Sequence, residues 1–308
     1  PARAEGDAPP TWALHATMAG AQLAFAAMGV SAHWAIRYVA PVHFAAVRIT
    51  LGLPGLAWLA HREGARLTWR VVAWGVPLAA GMVGAQVLVF VCNAQVGAAP
   101  TSALQPAMPV FVALFSWAAR LEAMSARKAA GVAASVGGAL AIAWPEDNDW
   151  GDASVPQYAL LVFQVSLYAV YLVALGVAMR DCGRSPFLFL YVSTLLGWLV
   201  LMPAATPSLL RADLRAVPWA AWAACAYAGL GVTLVAHAAN SWAVSKVLPT
   251  VPSLYNGLQV VGAFVGSAAF LGERLTVQLV VGTLMIGAGV VVVCTEDTRG
   301  GDEVGAGG

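Results

Sequence analysis

The chain has 308 residues, of which 60% are hydrophobic and only 10% are charged, with a net charge of +1. A soluble domain carries roughly 25% charged residues to make its surface, so a soluble fold is excluded, and the near-zero charge excludes the basic footprint of a nucleic-acid binder. Mean hydropathy is +0.75, which leaves the polytopic helical membrane proteins.

Pro1 stands where Met would, so processing or trimming of the N-terminus is expected. A short tail over 1–11 leads into the first apolar window. A membrane span needs about 20 apolar residues, and ten windows qualify as expectations: 12–36, 42–60, 70–93, 100–119, 127–144, 157–179, 186–206, 218–243, 249–271 and 276–294. Val71 to Ala119 contains no charged residue and no His, yet is too long for one span. It divides at the Gly-Ala-Ala-Pro of 97–100, a helix-breaking sequence. The runs are continuous rather than alternating, which argues against barrel strands. The expected organisation is a five-helix unit over 12–144, an acidic external loop over 145–156, a second five-helix unit over 157–294, and a C-terminal tail over 295–308.

The distribution of bases sets an orientation. With the N-terminus in the cytoplasm, 11 Lys and Arg fall on the inner side and 4 on the outer side, so both termini are expected inside. Trp69, Trp144, Trp150 and Trp219 stand near span ends, as an interfacial aromatic belt requires. Integral residence in a plasma or bacterial inner membrane is expected over an organelle envelope.

The two units repeat. A shift of 151 carries Glu122 onto Glu273, Ser125 onto Thr276, Gly131 onto Gly282 and Gly138 onto Gly289. Five spans per unit is an odd number, so the second copy runs with inverted topology. Inverted repeats typify secondary transporters, with the substrate held near the midplane between the halves.

Span interiors contain no Asp or Glu, which disfavours carboxylate-coupled pumping and favours facilitated diffusion or exchange. His237 is the remaining candidate for proton coupling. Arg48 is the one permanent charge inside a span. It lies about two turns from the outer end of span 2, within reach of snorkelling, and is read either as an anchor on backbone carbonyls or as a carboxylate anchor for a substrate.

The other polar residues fall on shared faces. Gln86, Phe90 and Asn93 follow i, i+4, i+7 in span 3, and Thr233, His237 and Asn240 repeat that spacing in span 8. Gln164, Tyr168 and Tyr171 do the same in span 6, and span 9 adds Tyr255, Asn256 and Gln259. Gln105 in span 4 is the repeat mate of Asn256. Amides and phenols facing lipid lack partners. Together they are expected to line a central polar, aromatic cavity suited to a small zwitterion with an apolar or aromatic side chain.

Other chemistry is disfavoured. There is no P-loop, GxGxxG or His-Glu-x-x-His, and no nucleophile elbow. Asp147 to Asp152 resembles a calcium loop but misplaces its Gly. Cys92, Cys182, Cys225 and Cys294 form no CxxC, and His15, His33, His43 and His237 show no pairing for a haem. No cofactor and no metal are expected.

The order of motifs resembles the ten-span EamA-type branch of the drug/metabolite transporter superfamily. The motifs are His-Phe-Ala-Ala-Val-Arg (43–48) after Pro41, Ala103 to Phe111 with Pro106 and Pro109, and Phe-Leu-Gly-Glu-Arg-Leu-Thr (270–276) ahead of Gly282, Gly287 and Gly289. Bacterial amino acid exporters and plant nodulin-like exporters look similar. The resemblance implies an all-α membrane fold and a secondary transporter that exports or exchanges small metabolites, amino acids foremost, by alternating access. The rival is a non-transporting membrane scaffold subunit that keeps this fold while docked to a protein partner.

Overall fold

The computed structural model describes residues 11–64, 66–120, 124–143, 155–183, 185–244, 250–274 and 276–305, leaving out the side chains of 11, 143, 243–244, 250–254, 256–257 and 293–305. Glu122, most of the acidic loop, most of the N-terminal tail and residues 306–308 lie outside them. All regular structure among the described residues is helical. Helix α1 (Thr11–Ala35) is followed by α2 (Pro41–Glu63) and α3 (Trp69–Val96). Pro41 opens α2, where its missing N–H costs nothing. Gly64 closes α2 at φ 69°, its N–H bonded to the His61 carbonyl. Thr68 caps α3 by accepting from the Val71 N–H.

The break expected at 97–100 is present. Gly97 takes φ 93° between α3 and α4 (Ala98–Leu104). The continuous helix expected over 100–119 is not. A 3₁₀ turn at Gln105–Ala107 separates α4 from α5 (Met108–Ala118), since Pro106 and Pro109 remove two successive ladder donors. Next come α6 (Ala126–Ala143), α7 (Val155–Cys182) and α8 (Pro186–Leu209). The window at 218–243 is helical throughout but changes pitch. It begins as α9 (Trp219–Ala226), widens to a π-helix at Tyr227–Ala236 and returns as α10 (His237–Val244). Then α11 (Thr250–Gly266) ends in a second π segment, Ser267–Leu271. Helix α12 (Val277–Gly305) runs past the expected limit of 294.

Among the described residues, seven helical stretches are long and apolar enough to cross a membrane: 12–35, 41–63, 69–96, 98–118, 155–182, 186–209 and 219–242. Leu258–Leu271 and Val277–Val292 are shorter apolar helices. The fifth expected span, α6, is in neither group: it opens with Arg127 and Lys128 and is diluted by Ala and Gly. Large apolar side chains such as Val200, Phe270 and Leu284 stand on the outside, the surface a bilayer would cover.

Packing between the two halves follows a pattern that survives exchange of the halves. Helix α3 packs on α8 as α2 packs on the first π segment, and α1 packs on α11 as α5 packs on α7. The most extensive contact joins α6 to α12. It is built on glycine. A Cβ on Gly138 would lie 2.5 Å from the Gly282 carbonyl oxygen, and one on Gly282 would lie 2.6 Å from that of Gly138. Gly289 approaches Gly131 and Ser135 as closely. With no hydrophobic drive between helices in lipid, such backbone contact is the main source of association. Gly138→Leu is therefore expected to lower the thermal unfolding midpoint in detergent by the equivalent of about 3 kcal/mol or more, because backbone cannot yield to overpacking. Gly176→Leu, where a Cβ meets nothing within 4 Å, should leave the midpoint within about 0.5 kcal/mol.

Two carboxylates tie the halves at helix ends. Glu63 at the end of α2 accepts from the Leu188 N–H in the first turn of α8 at 3.0 Å. Glu273, beyond the second π segment, accepts from the Ala98 and Ala99 N–H groups, both at 2.8 Å. Those two donors are the orphans that every helix start presents, so Glu273 caps α4 from the other half. His33 Nε2 stands 3.8 Å from the same carboxylate.

Candidate substrate-binding site

Arg48 is the centre of the buried polar groups. Its residue exposure is 1%, so it does not take the snorkelling route that its place in span 2 leaves open. The side chain turns inward instead. Its Nε donates to Thr233 Oγ1 at 2.9 Å, one terminal nitrogen donates to Gln86 Oε1 at 3.2 Å, and the other lies 3.3 Å from Met28 Sδ. The guanidinium sits over the Phe90 ring, 5.2 Å from its centroid. Phe90 is held by an edge contact with Phe44.

The local sequence explains why Thr233 reaches Arg48. A Cβ on Gly229 would lie 2.8 Å from the Arg48 carbonyl oxygen, and one on Gly52 would lie 2.9 Å from the Gly229 carbonyl oxygen. The two backbones approach closely because neither carries a side chain there. Thr233 Oγ1 itself donates to the Ala228 carbonyl, five residues back, a spacing the π-helix makes available. Wide turns of this kind recur at functional sites.

No carboxylate among the described residues neutralises Arg48. Among the described residues the ion pairs join His33 to Glu273 and Arg70 to Asp181. A guanidinium offers five N–H donors, and the partners given above, Thr233, Gln86, Met28 and the Phe90 ring, are all neutral. The Gln86 side-chain nitrogen beside it is buried without a hydrogen-bond partner.

The expected site residues divide into groups. Gln86, Phe90, Thr233 and Arg48 come together from both halves. His237 is buried one turn further along and meets Phe25 edge-on at 5.0 Å. Asn240 follows it, its side-chain oxygen buried and unpaired. Tyr168 and Tyr171 contact each other at 5.2 Å, and Tyr171 packs in an apolar cluster with Met82 and Phe189. Asn93 turns elsewhere. It donates to the Gly29 carbonyl and accepts from His33 Nδ1 at 2.8 Å, which ties α3 to α1. Gln105 donates to Gln164 Oε1 at 3.1 Å, a separate link across the halves. Tyr255 pairs with His15 through its hydroxyl, away from Arg48, and Gln259 is half-buried on α11. The Asn256 side chain lies outside the described residues.

Sequence reasoning missed Gln22 on α1, which is 4% exposed with its side-chain oxygen unpaired. The signal was available: an amide alone in an apolar span has no business facing lipid. Of the cysteines, Cys92 and Cys225 are buried free thiols and Cys182 is half-buried.

A polar cluster between two halves of a helical bundle suits solute binding, and the comparison with known families decides its kind. The model of the EamA-like transporter family matches residues 13–144 and again 157–295. The chain belongs to the EamA-like transporter family. This EamA-like protein is thus an integral membrane transporter of small molecules, of the drug/metabolite transporter superfamily, rather than an enzyme. Nineteen chains of solved structures match it in fold. One, described only as the crystal structure of a protein, aligns with a TM-score of 0.59 at 19% identity, over 90% of this chain and 95% of its own. That likeness concerns the fold alone. No curated protein matches the sequence.

Proposed function

We propose that this EamA-like transporter exports or exchanges small carboxylate-bearing metabolites, amino acids foremost, by alternating access. The observation that carries this reading is the buried Arg48 guanidinium, which has no acidic partner among the described residues. A charge at such depth costs about 2.5–3.5 kcal/mol on insertion scales. A carboxylate ligand offsets that cost through charge-assisted, bidentate hydrogen bonds. The unpaired Gln86 nitrogen adds a donor at the same place.

The rest of the reading is an inverted pair of five-helix units. The two family matches, and packing that survives exchange of the halves, support it. Arg48, Gln86 and Phe90 come from the first half and Thr233 from the second, so rocking of one half against the other would open the site to alternate sides. The bias of basic residues supports cytoplasmic termini in a plasma or bacterial inner membrane.

Counterflow in proteoliposomes tests this. Vesicles holding the full chain are loaded with unlabelled phenylalanine or with phenylalaninamide, and uptake of labelled phenylalanine is followed. The acid should drive tracer accumulation at least about tenfold better than the amide, since a site built around a charge rejects the isostere that lacks it. Equal driving by both would sink the carboxylate reading.

A further inference from the structure

Among the described residues, three buried side-chain polar atoms lack hydrogen-bond partners: Gln22 Oε1, Gln86 Nε2 and Asn240 Oδ1. One is a donor and lies on the amide whose oxygen holds Arg48. The other two are acceptors. Native proteins leave few such groups unpaired, and each calls for an explanation.

Contacts fix where the acceptors stand. Met28 on α1 touches Arg48, which is bonded to Thr233. Phe25, one turn earlier on α1, meets His237, one turn later on the opposing helix. The two helices therefore run antiparallel, level by level. One further turn brings Gln22 on α1 and Asn240 on α10 to the same level. The path from the Arg48 level to the Gln22–Asn240 level covers six or seven residues of helix, about 9–10 Å at 1.5 Å per residue. Between them lies the Phe25–His237 ring pair.

We propose that Gln22 and Asn240 form a second polar subsite, which takes a hydrogen-bond donor at the end of the substrate remote from its carboxylate. The substrate class is then a carboxylate with an apolar or flat middle and a distal ammonium, hydroxyl or N–H group. The proposal rests on the reading of Arg48 as the carboxylate anchor. It adds the demand at the other end: two buried amide oxygens prefer a substrate that donates and discriminate against one that ends in hydrocarbon.

Two matched pairs of probes test it by counterflow with the full chain: tyrosine against phenylalanine, and lysine against norleucine. Members of each pair share the carboxylate and differ in the distal donor. In the wild type the donor-bearing member should win by about tenfold or more in at least one pair. Gln22→Leu and Asn240→Leu should each bring that ratio close to one. Thermal unfolding in detergent establishes that the variants are folded, and if one fails to fold, the wild-type ratio and the other variant decide. No donor preference in either pair overturns the subsite, and so does a preference that survives both substitutions. In those cases a retained advantage of phenylalanine over phenylalaninamide shows that the Arg48 reading stands without it. Loss of that advantage as well overturns both.

Discussion

Arg48→Gln should reduce counterflow of carboxylate substrates by at least about 100-fold while the protein stays folded. Glutamine still offers a donor and an acceptor to Thr233 and Gln86, the neutral partners of Arg48, but supplies no charge. A carboxylate then enters a water-poor site with nothing to offset its desolvation, a loss of several kcal/mol. Stability should move the other way. Removing an uncompensated charge from a bundle interior relieves an insertion cost of about 2.5–3.5 kcal/mol, so the unfolding midpoint should hold or rise. If Arg48 were merely glue between helices, the variant would lose stability and its transport defect would follow from that loss. Measuring both quantities on one preparation separates the cases.

Glu273→Ala should be among the most destabilising changes that create no cavity. It removes a carboxylate that satisfies two helix-start donors at 2.8 Å each. Charge-assisted bonds of this kind are worth about 1.5–3 kcal/mol apiece, and α4 has no substitute cap of its own, since Gly97 precedes it. Gly97→Ala attacks the same joint twice. Its φ of 93° is costly for any residue with a Cβ, and that Cβ would lie 2.7 Å from Glu273 Oε1. The double variant should therefore be more stable than the sum of the two changes predicts, by about 1 kcal/mol or more. Additive effects, read from unfolding midpoints, would mean that the two residues do not share a contact.

Much of the fold was legible because lipid makes demands that composition reveals. The helical class, the break at Gly97 and the glycines of α6 and α12 all follow from apolar length and small-residue spacing. The pitch changes were not legible. Nothing in Tyr227–Ala236 distinguishes a π-helix from an α-helix by pattern, because apart from Tyr227 and Thr233 the segment is apolar and shows no clear periodicity. Periodicity placed Gln86 and Phe90 on one face correctly, but it carries no information on depth or on which helix faces them. Sequence distance leaves Arg48 both an outward and an inward course, and the inward one depends on Thr233 and Gln86, partners that no local pattern names. Asn93 shares a face with Gln86 and Phe90 yet is spoken for by His33, and Gln105 is spoken for by Gln164. The sequence pairs Glu273 only with Glu122, by the shift of 151. Its reach across 175 residues to Ala98 is a tertiary fact with no local signature.

That reach has a counterpart at Arg48 with a cost measured in time. Gln86 lies 38 residues downstream of Arg48, but Thr233 lies 185 residues downstream. At roughly 5–20 residues per second, a ribosome needs about 10–40 seconds to make the second partner after the first charge is already in the translocon. For that interval the nascent first half holds a guanidinium that its own sequence covers only in part. Biogenesis, rather than the finished bundle, is where this chain is most exposed to failure.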